Sequence, residues 1–473
     1  MNRFSQLVMD TWVGMGSRFL PFADAATPDL PLSRLLRLSL FQVSVGMATV
    51  LLVGTLNRVM IVELGVPASL VAVMISLPLL FAPFRALIGF RSDTHQSALG
   101  WKRVPFIWKG TMLQFGGLAI MPFALLVLSG GGQAANAPAW IGQAGAGLAF
   151  LLVGAGLHMT QTAGLALATD LVAVESQPNV VGLMYVMLLL GTVASALVFG
   201  TLLVDFTPGR LVQVIQGAAV TTVALNMIAL WKQETRRPLR GAAPPSHPAF
   251  RQAWRAYISG DLAMRHLVAV ALGTMAFSMQ DVLLEPYGGQ VLNLTVSATT
   301  KLTATLAIGG LLGFGLASRA LSRGGSPFAM SSYGAMLGIP AFFGIVLAAP
   351  MFSPLLFGAG ILMIGFAAGL FSHGTLTAAM HLAPVDQRGL ALGTWGAVQA
   401  SAAGFAVASG GVLRDVVAEL VERDTLGAWQ AGAATGYMAV YAVEMLLLLA
   451  TLVVLAPLAR RSNLAARASG ALS

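Results

Sequence analysis

The chain has 473 residues, of which 57% are hydrophobic and only 10% charged. A soluble domain carries about 25% charged residues, so a soluble enzyme of this size is excluded, and so is a disordered chain, which needs the opposite composition. The 27 Lys and Arg against 18 Asp and Glu leave a formal charge of +9, and there is no cysteine, which removes disulfides, thiolate metal sites, haem attachment and Cys nucleophiles together.

In chain order, residues 1–37 come first as a cytoplasmic segment. Phe4, Val8, Trp12, Met15 and Phe19 recur at helical spacing, with Arg3, Gln6, Asp10 and Arg18 outside the stripe. That pattern predicts an amphipathic helix lying in the membrane interface. It does not predict a secretory signal, because Asp10 interrupts the apolar stretch and Pro21 ends it. Windows of about 20 apolar residues then give twelve spans, near 38–62, 66–90, 104–128, 140–172, 180–204, 210–231, 265–285, 298–319, 329–349, 353–380, 390–413 and 432–456. The small-residue steps Gly309-x-x-x-Gly313, Gly365-x-x-x-Gly369 and Gly389-x-x-x-Gly393 predict close helix contacts. A basic, proline-containing linker, 232–264, separates a six-helix half (38–231) from a second one (265–456), and 457–473 form a cytoplasmic tail. With the N-terminus inside, the cytoplasmic segments hold 20 of the 27 basic residues and the outer loops only Arg210, Arg414 and Arg423. This bias predicts both termini in the cytoplasm and explains the basic excess without nucleic acid.

The halves echo each other: at an offset of 211, Glu175 falls on Asp386 and Gly182 on Gly393. Parallel repeats of this kind mark proteins whose site lies between the halves. The segment GFRSDTHQSALGWKR (89–103) resembles an expanded loop motif of the major facilitator superfamily, through Gly89, Asp93, Gly100 and Arg103, with Thr94 in place of a basic residue. The resemblance implies that Asp93 helps to lock the cytoplasmic side by pairing with an Arg and a helix N-terminus. The expected fold is therefore an all-α integral membrane protein, major-facilitator-like, with twelve transmembrane helices in two six-helix halves. More specifically, LPLSRLLRLSLFQVSVGM (30–47), GTLNRVMIVELGVP (54–67), LPLLFAPFRALIGFRSDTH (77–95) and QDVLLEPYGGQVL (280–292) resemble the PucC/LhaA type of light-harvesting assembly protein, the bacteriochlorophyll-delivery branch of that superfamily. This implies a bacterial intracytoplasmic membrane, bacteriochlorophyll as a transient ligand, and antenna polypeptides as partners, with the reaction centre complex and pigment-synthesis enzymes as further ones.

No nucleotide-binding, zinc-protease or serine-hydrolase motif is present, so attention falls on ionisable groups at membrane depth. Arg58 and Glu63 near the end of the first span stand at the height of Asp281 and Glu285 in the seventh. Two readings stand: an ion-pair clamp between the halves that shuts the outer side, and four groups that snorkel to the headgroups. His158 and His373 lie within spans beside small residues, and are candidates for ligating the pigment's magnesium or for bonding a neighbouring helix. His95, His266, His381 and His247 are expected at interfaces. Glu444 sits mid-span in YAVEMLLLLATLVV with no evident countercharge; it reads as a neutral structural carboxyl, a proton-coupling group or a partner contact, the first being favoured. No directly bound metal ion is expected. The preferred function is a non-enzymatic assembly factor that hands bacteriochlorophyll to antenna subunits. The alternatives are a proton-coupled solute transporter, which would need an acid facing the cavity, and a pigment-free scaffold.

Overall fold

The structure, a computed structural model, describes residues 30–80, 88, 92, 97, 100–130, 136–172, 176–234, 261–382, 388–423 and 434–470. The interfacial helix, most of the linker, Gly89, Asp93, Glu175, Asp386, His95 and His247 lie outside them. All the regular elements described are helical: α1 Leu32–Glu63, α2 Ala68–Leu80, α3 Val104–Leu128, α4 Ala139–Asp170, α5 Gln177–Leu202, α6 Pro208–Leu230, α7 Leu262–Gln290, α8 Val296–Ser322, α9 Pro327–Ala348, α10 Pro354–Leu382, α11 Arg388–Glu422 and α12 Ala434–Gly470. Eleven of them are long and apolar enough to cross a membrane, and α2 is a shorter apolar helix whose far end meets undescribed residues. The protein is multi-pass, as the window count predicts.

Successive helices run back and forth between a proximal end, where α1 begins, and a distal end, where it stops. α3 packs on α4 and α6, and α1 on α5 and α6. α10 packs on α8 and α9, while α12 packs on α7 and α9. The first six and last six helices meet chiefly along two seams, α2 against α11 and α5 against α8. Lipid offers no hydrophobic drive between helices, so close backbone approach has to supply the packing. Two of the expected glycine steps do this against each other. A β-carbon on Gly309 or Gly313 would strike the carbonyls of Leu362 and Phe366, and one on Gly365 or Gly369 the carbonyls of Leu306 and Gly310. α8 and α10 therefore touch backbone to backbone. Buried polar residues tie the first group: Ser44 Oγ donates to Asn226 Oδ1 (2.9 Å), whose Nδ2 donates to Thr111 Oγ1 (2.9 Å).

Two helices depart from regular winding. α1 turns π-helical over Val50–Leu56 and Val59–Glu63, and α7 tightens to a 3-10 turn at Met279–Val282. Such irregularity inside long helices is frequent at functional sites, and in lipid it survives only where protein satisfies the freed backbone groups. Asn57 of α1 does so, donating from Nδ2 to the Val282 carbonyl at 2.9 Å.

At the proximal end, Gly100 holds φ at +78°, as a glycine permits, in a turn closed by Gly100 N to Ser97 O at 2.8 Å. Arg103 follows and donates from Nε to Asp170 Oδ2 at 3.0 Å and from Nη1 to Ser92 Oγ at 2.5 Å. The carboxylate at the helix start is Glu234, which accepts from the backbone N–H groups of Lys102 (2.6 Å), Arg103 (3.0 Å) and Val104 (2.9 Å). A negative group there satisfies orphan donors and meets the positive end of the α3 dipole. Glu234→Ala is expected to cost about 1–2 kcal/mol, read as a lowered thermal midpoint in detergent. Glu234→Gln is expected to lose less than this, because it keeps one acceptor oxygen.

Candidate functional site

A cavity of about 450 Å³ lies between α1 and α5 on one side and α7, α8, α10 and α11 on the other. Its size is within the usual range for small-molecule sites. Three features shape its wall. The backbone contact between α8 and α10 places Gly310, Gly365 and Gly369, which carry no side chain, in the wall. Rings of Phe277, Phe314 and Trp395 face the same space. The break in α7 delivers Gln280, Asp281 and Glu285 to it.

Glu285 is 5% exposed. Thr303 of α8 holds it, donating from Oγ1 to Glu285 Oε1 at 2.6 Å. Gly54, in the π-helical part of α1, abuts this pair; a β-carbon there would stand 2.8 Å from the Thr303 hydroxyl and 3.6 Å from Glu285 Oε1. Asp281 accepts from Gln280 Nε2 at 3.2 Å. Both acids therefore face the cavity, in its distal part.

The interhalf clamp takes a different form from the one expected. Arg58 pairs with Glu63 of its own helix and donates from Nη2 to the Leu294 carbonyl at 3.1 Å, so it does reach the second group of helices. Its partners there are backbone, against Gly289 and Leu294, and not Asp281 or Glu285. Other residues complete the distal seam. Asp415 of α11 accepts from the Ser69 N–H at the start of α2 (2.7 Å) and from Arg414 Nη1 (2.8 Å). Arg414 also donates from Nη2 to Gln290 Oε1 (2.7 Å) and lies over the Tyr437 ring at 4.9 Å. Ser297 Oγ of α8 donates to the Gly200 carbonyl of α5 at 2.6 Å. Sequence reasoning used Arg414 only as a topological charge and passed over Asp415. The available signals were the adjacent opposite charges in an apolar stretch and a start of α2, at Pro67-Ala68, without its own capping side chain.

None of the described histidines lines the cavity. His158 is half-buried on α4, away from the cavity-lining residues. His373 sits one ring behind the wall, 4.2 Å from Phe314 between ring centres. His266 has a structural bond to the Thr375 carbonyl (3.0 Å), and His381 is exposed in the last turn of α10. Glu444 is fully buried, beside the Gln280 backbone at the α7 break and in the neighbourhood of Asp281, and neither of its oxygens attains hydrogen-bond geometry. It is less isolated than mid-span sequence implies. As a neutral structural carboxyl it should tolerate Glu444→Gln within about 1 kcal/mol of thermal stability, whereas a loss several times larger would place an ionised group there.

The PUCC protein family model matches residues 55–463. The chain belongs to the PucC family. "Protein PucC" of Rhodovulum sulfidophilum is 63% identical over 420 residues, covering 88% of this chain and 92% of that one. "Protein PucC" of Cereibacter sphaeroides is 58% identical over 455 residues, covering 96% and 98%. A "Bacteriochlorophyll synthase 44.5 kDa chain" of Rhodobacter capsulatus is 28% identical over 393 residues, covering 79% and 85%. Among solved structures, a bacterial homologue of the iron transporter ferroportin matches with TM-score 0.64 at 17% identity, covering 90% and 98%. The nucleoside transporter NupG does so with 0.58 at 15%, covering 89% and 99%. These likenesses show the fold of this chain, which is all-helical and major-facilitator-like.

Proposed function

We propose that this chain is a non-enzymatic assembly factor for bacterial light-harvesting antenna complexes, which binds bacteriochlorophyll and delivers it to antenna polypeptides. In this proposal it sits in the bacterial inner membrane with both termini cytoplasmic, and the reaction centre complex and pigment-synthesis enzymes are further partners. Family membership supplies the photosynthetic context. The observation that carries the reading is the cavity: a mostly apolar space walled in part by Gly310, Gly365 and Gly369 and by the rings of Phe277, Phe314 and Trp395, with Gln280, Asp281, Glu285 and Thr303 in its distal part. Such a shape fits a planar apolar macrocycle bearing polar substituents. A lipid-soluble pigment moves between the bilayer and the site sideways, so it has no need of a water path at the distal end. The hydrogen-bonded seam there, at Asp415, Arg414, Arg58 and Ser297, supports that economy.

A second reading, a proton-coupled solute transporter, is favoured by one observation: Asp281 and Glu285 are the cavity-facing acids such a mechanism requires. Gentle purification from phototrophically grown membranes separates the readings. Near-infrared absorption together with co-purifying antenna polypeptides is the expected result. Antenna polypeptides without pigment would support a scaffold, and pH-driven solute uptake in vesicles with neither would support the transporter.

A further inference from the structure

We propose that Glu285 is the axial ligand of the pigment's magnesium in the central cavity, a role the sequence had offered to His158 and His373. The inference rests on the pigment-binding reading above and assigns a residue to it. The magnesium of a bacteriochlorophyll is held by four ring nitrogens and takes a further ligand from above or below the plane. Carboxylate oxygen suits this hard cation, and so does imidazole, but none of the described histidines is among the cavity-lining residues.

Three helices build the position. α7 breaks at Met279–Val282 and starts again at Leu284, which puts Glu285 in the first turn of the new segment. Thr303 of α8 takes one carboxylate oxygen at 2.6 Å. Ligating carboxylates are held by such outer hydrogen bonds, which fix their orientation. Gly54 of α1 closes the third side, where any larger residue would collide with Thr303. Among the described residues no other side chain bonds Glu285, and no Lys or Arg pairs with it. A carboxylate so deep in a membrane protein and without a cation marks a functional position. Asp281 is held less firmly: it lies in the 3-10 turn itself, and its bond, at 3.2 Å, comes from the adjacent Gln280 and not from a second helix.

The test uses purified, pigment-free protein in detergent, titrated with bacteriochlorophyll and with its magnesium-free counterpart, followed by the shift of the near-infrared band. Wild type is expected to prefer the magnesium form by about tenfold or more, the scale on which ligand-shell changes act. Glu285→Leu should abolish that preference while still binding the ring, and Thr303→Val should weaken it by about tenfold. His158→Ala and His373→Ala should leave it intact. An equal affinity of wild type for the two forms overturns the assignment without any variant having to fold. Retention of the preference in Glu285→Leu, or its loss in a histidine variant, overturns it as well. Failure of wild type to bind either form overturns the pigment-binding reading itself, a distinct result.

Discussion

Gly365→Val is expected to remove most of the folded protein. A β-carbon at residue 365 would press on the Leu306 carbonyl and the Gly310 amide, and both are backbone atoms of α8. A clash with a side-chain tip is relieved by a rotamer change, but here two whole helices would have to separate. Gly309, Gly313 and Gly369 share the contact, so separation at one point loosens the others. Overpacking a core typically costs about 1–3 kcal/mol and occasionally more, and a backbone-to-backbone contact belongs at or above the top of that range. Against a total stability of about 5–15 kcal/mol, the expected results are a thermal midpoint in detergent many degrees lower and a sharply reduced yield. The control is Gly315→Ala, on the same α8, where a β-carbon meets no atom within 4 Å; it should be nearly silent. The cavity would suffer too, because Gly310, Gly365 and Gly369 are part of its wall.

That contact was legible in the sequence, because small residues four apart in an apolar run have few other uses in a membrane helix. So were the number of spans and the need of Arg58 for a partner across the seam. The identity of the partner was not. A helical wheel at 3.6 residues per turn assigns faces correctly only while the helix stays α. In α1 the π-helical stretch from Val50 adds to each turn and rotates everything beyond it. Asn57 is thereby turned to the break in α7, and Arg58 to Gly289 and Leu294. The break in α7 had the same effect on Asp281 and Glu285, which face the cavity and not the distal rim. Neither irregularity is signalled by a proline or a glycine pair at its start, so both come from tertiary packing. The position of His158 and His373 off this cavity's wall was not legible for another reason: burial and apolar neighbours locate a residue within the membrane, but not on a particular wall.

The distal seam offers the second large effect. Asp415 satisfies two groups at once, the orphan Ser69 N–H at the start of α2 and the Arg414 guanidinium. Asp415→Ala leaves the N–H unpaired and Arg414, 15% exposed, without its carboxylate. Breaking a buried pair by removing one partner costs about 3–5 kcal/mol, and the 22% exposure of Asp415 brings the expectation down to about 2–3 kcal/mol. Asp415→Asn keeps an acceptor for Ser69 and should cost less. Since α2 and α11 form one of the two main contacts between the groups of helices, the loss should also open the distal side. The absence of cysteine makes this measurable without background. A cysteine placed at Thr303 in the cavity should react with a membrane-impermeant thiol reagent applied from the distal side several times faster when Asp415→Ala is present. Unchanged labelling would mean that the seam is held elsewhere. The same logic separates the observed seam from the expected one. Arg58→Gln and Asp281→Asn should be additive within about 0.5 kcal/mol, as independent sites are, because Arg58 ends on Glu63 and the Leu294 carbonyl while Asp281 belongs to the cavity. Arg58→Gln with Glu63→Gln should not be additive, since each removes the other's partner. A large coupling between Arg58 and Asp281 would restore the direct clamp and move Asp281 from the cavity to the seal.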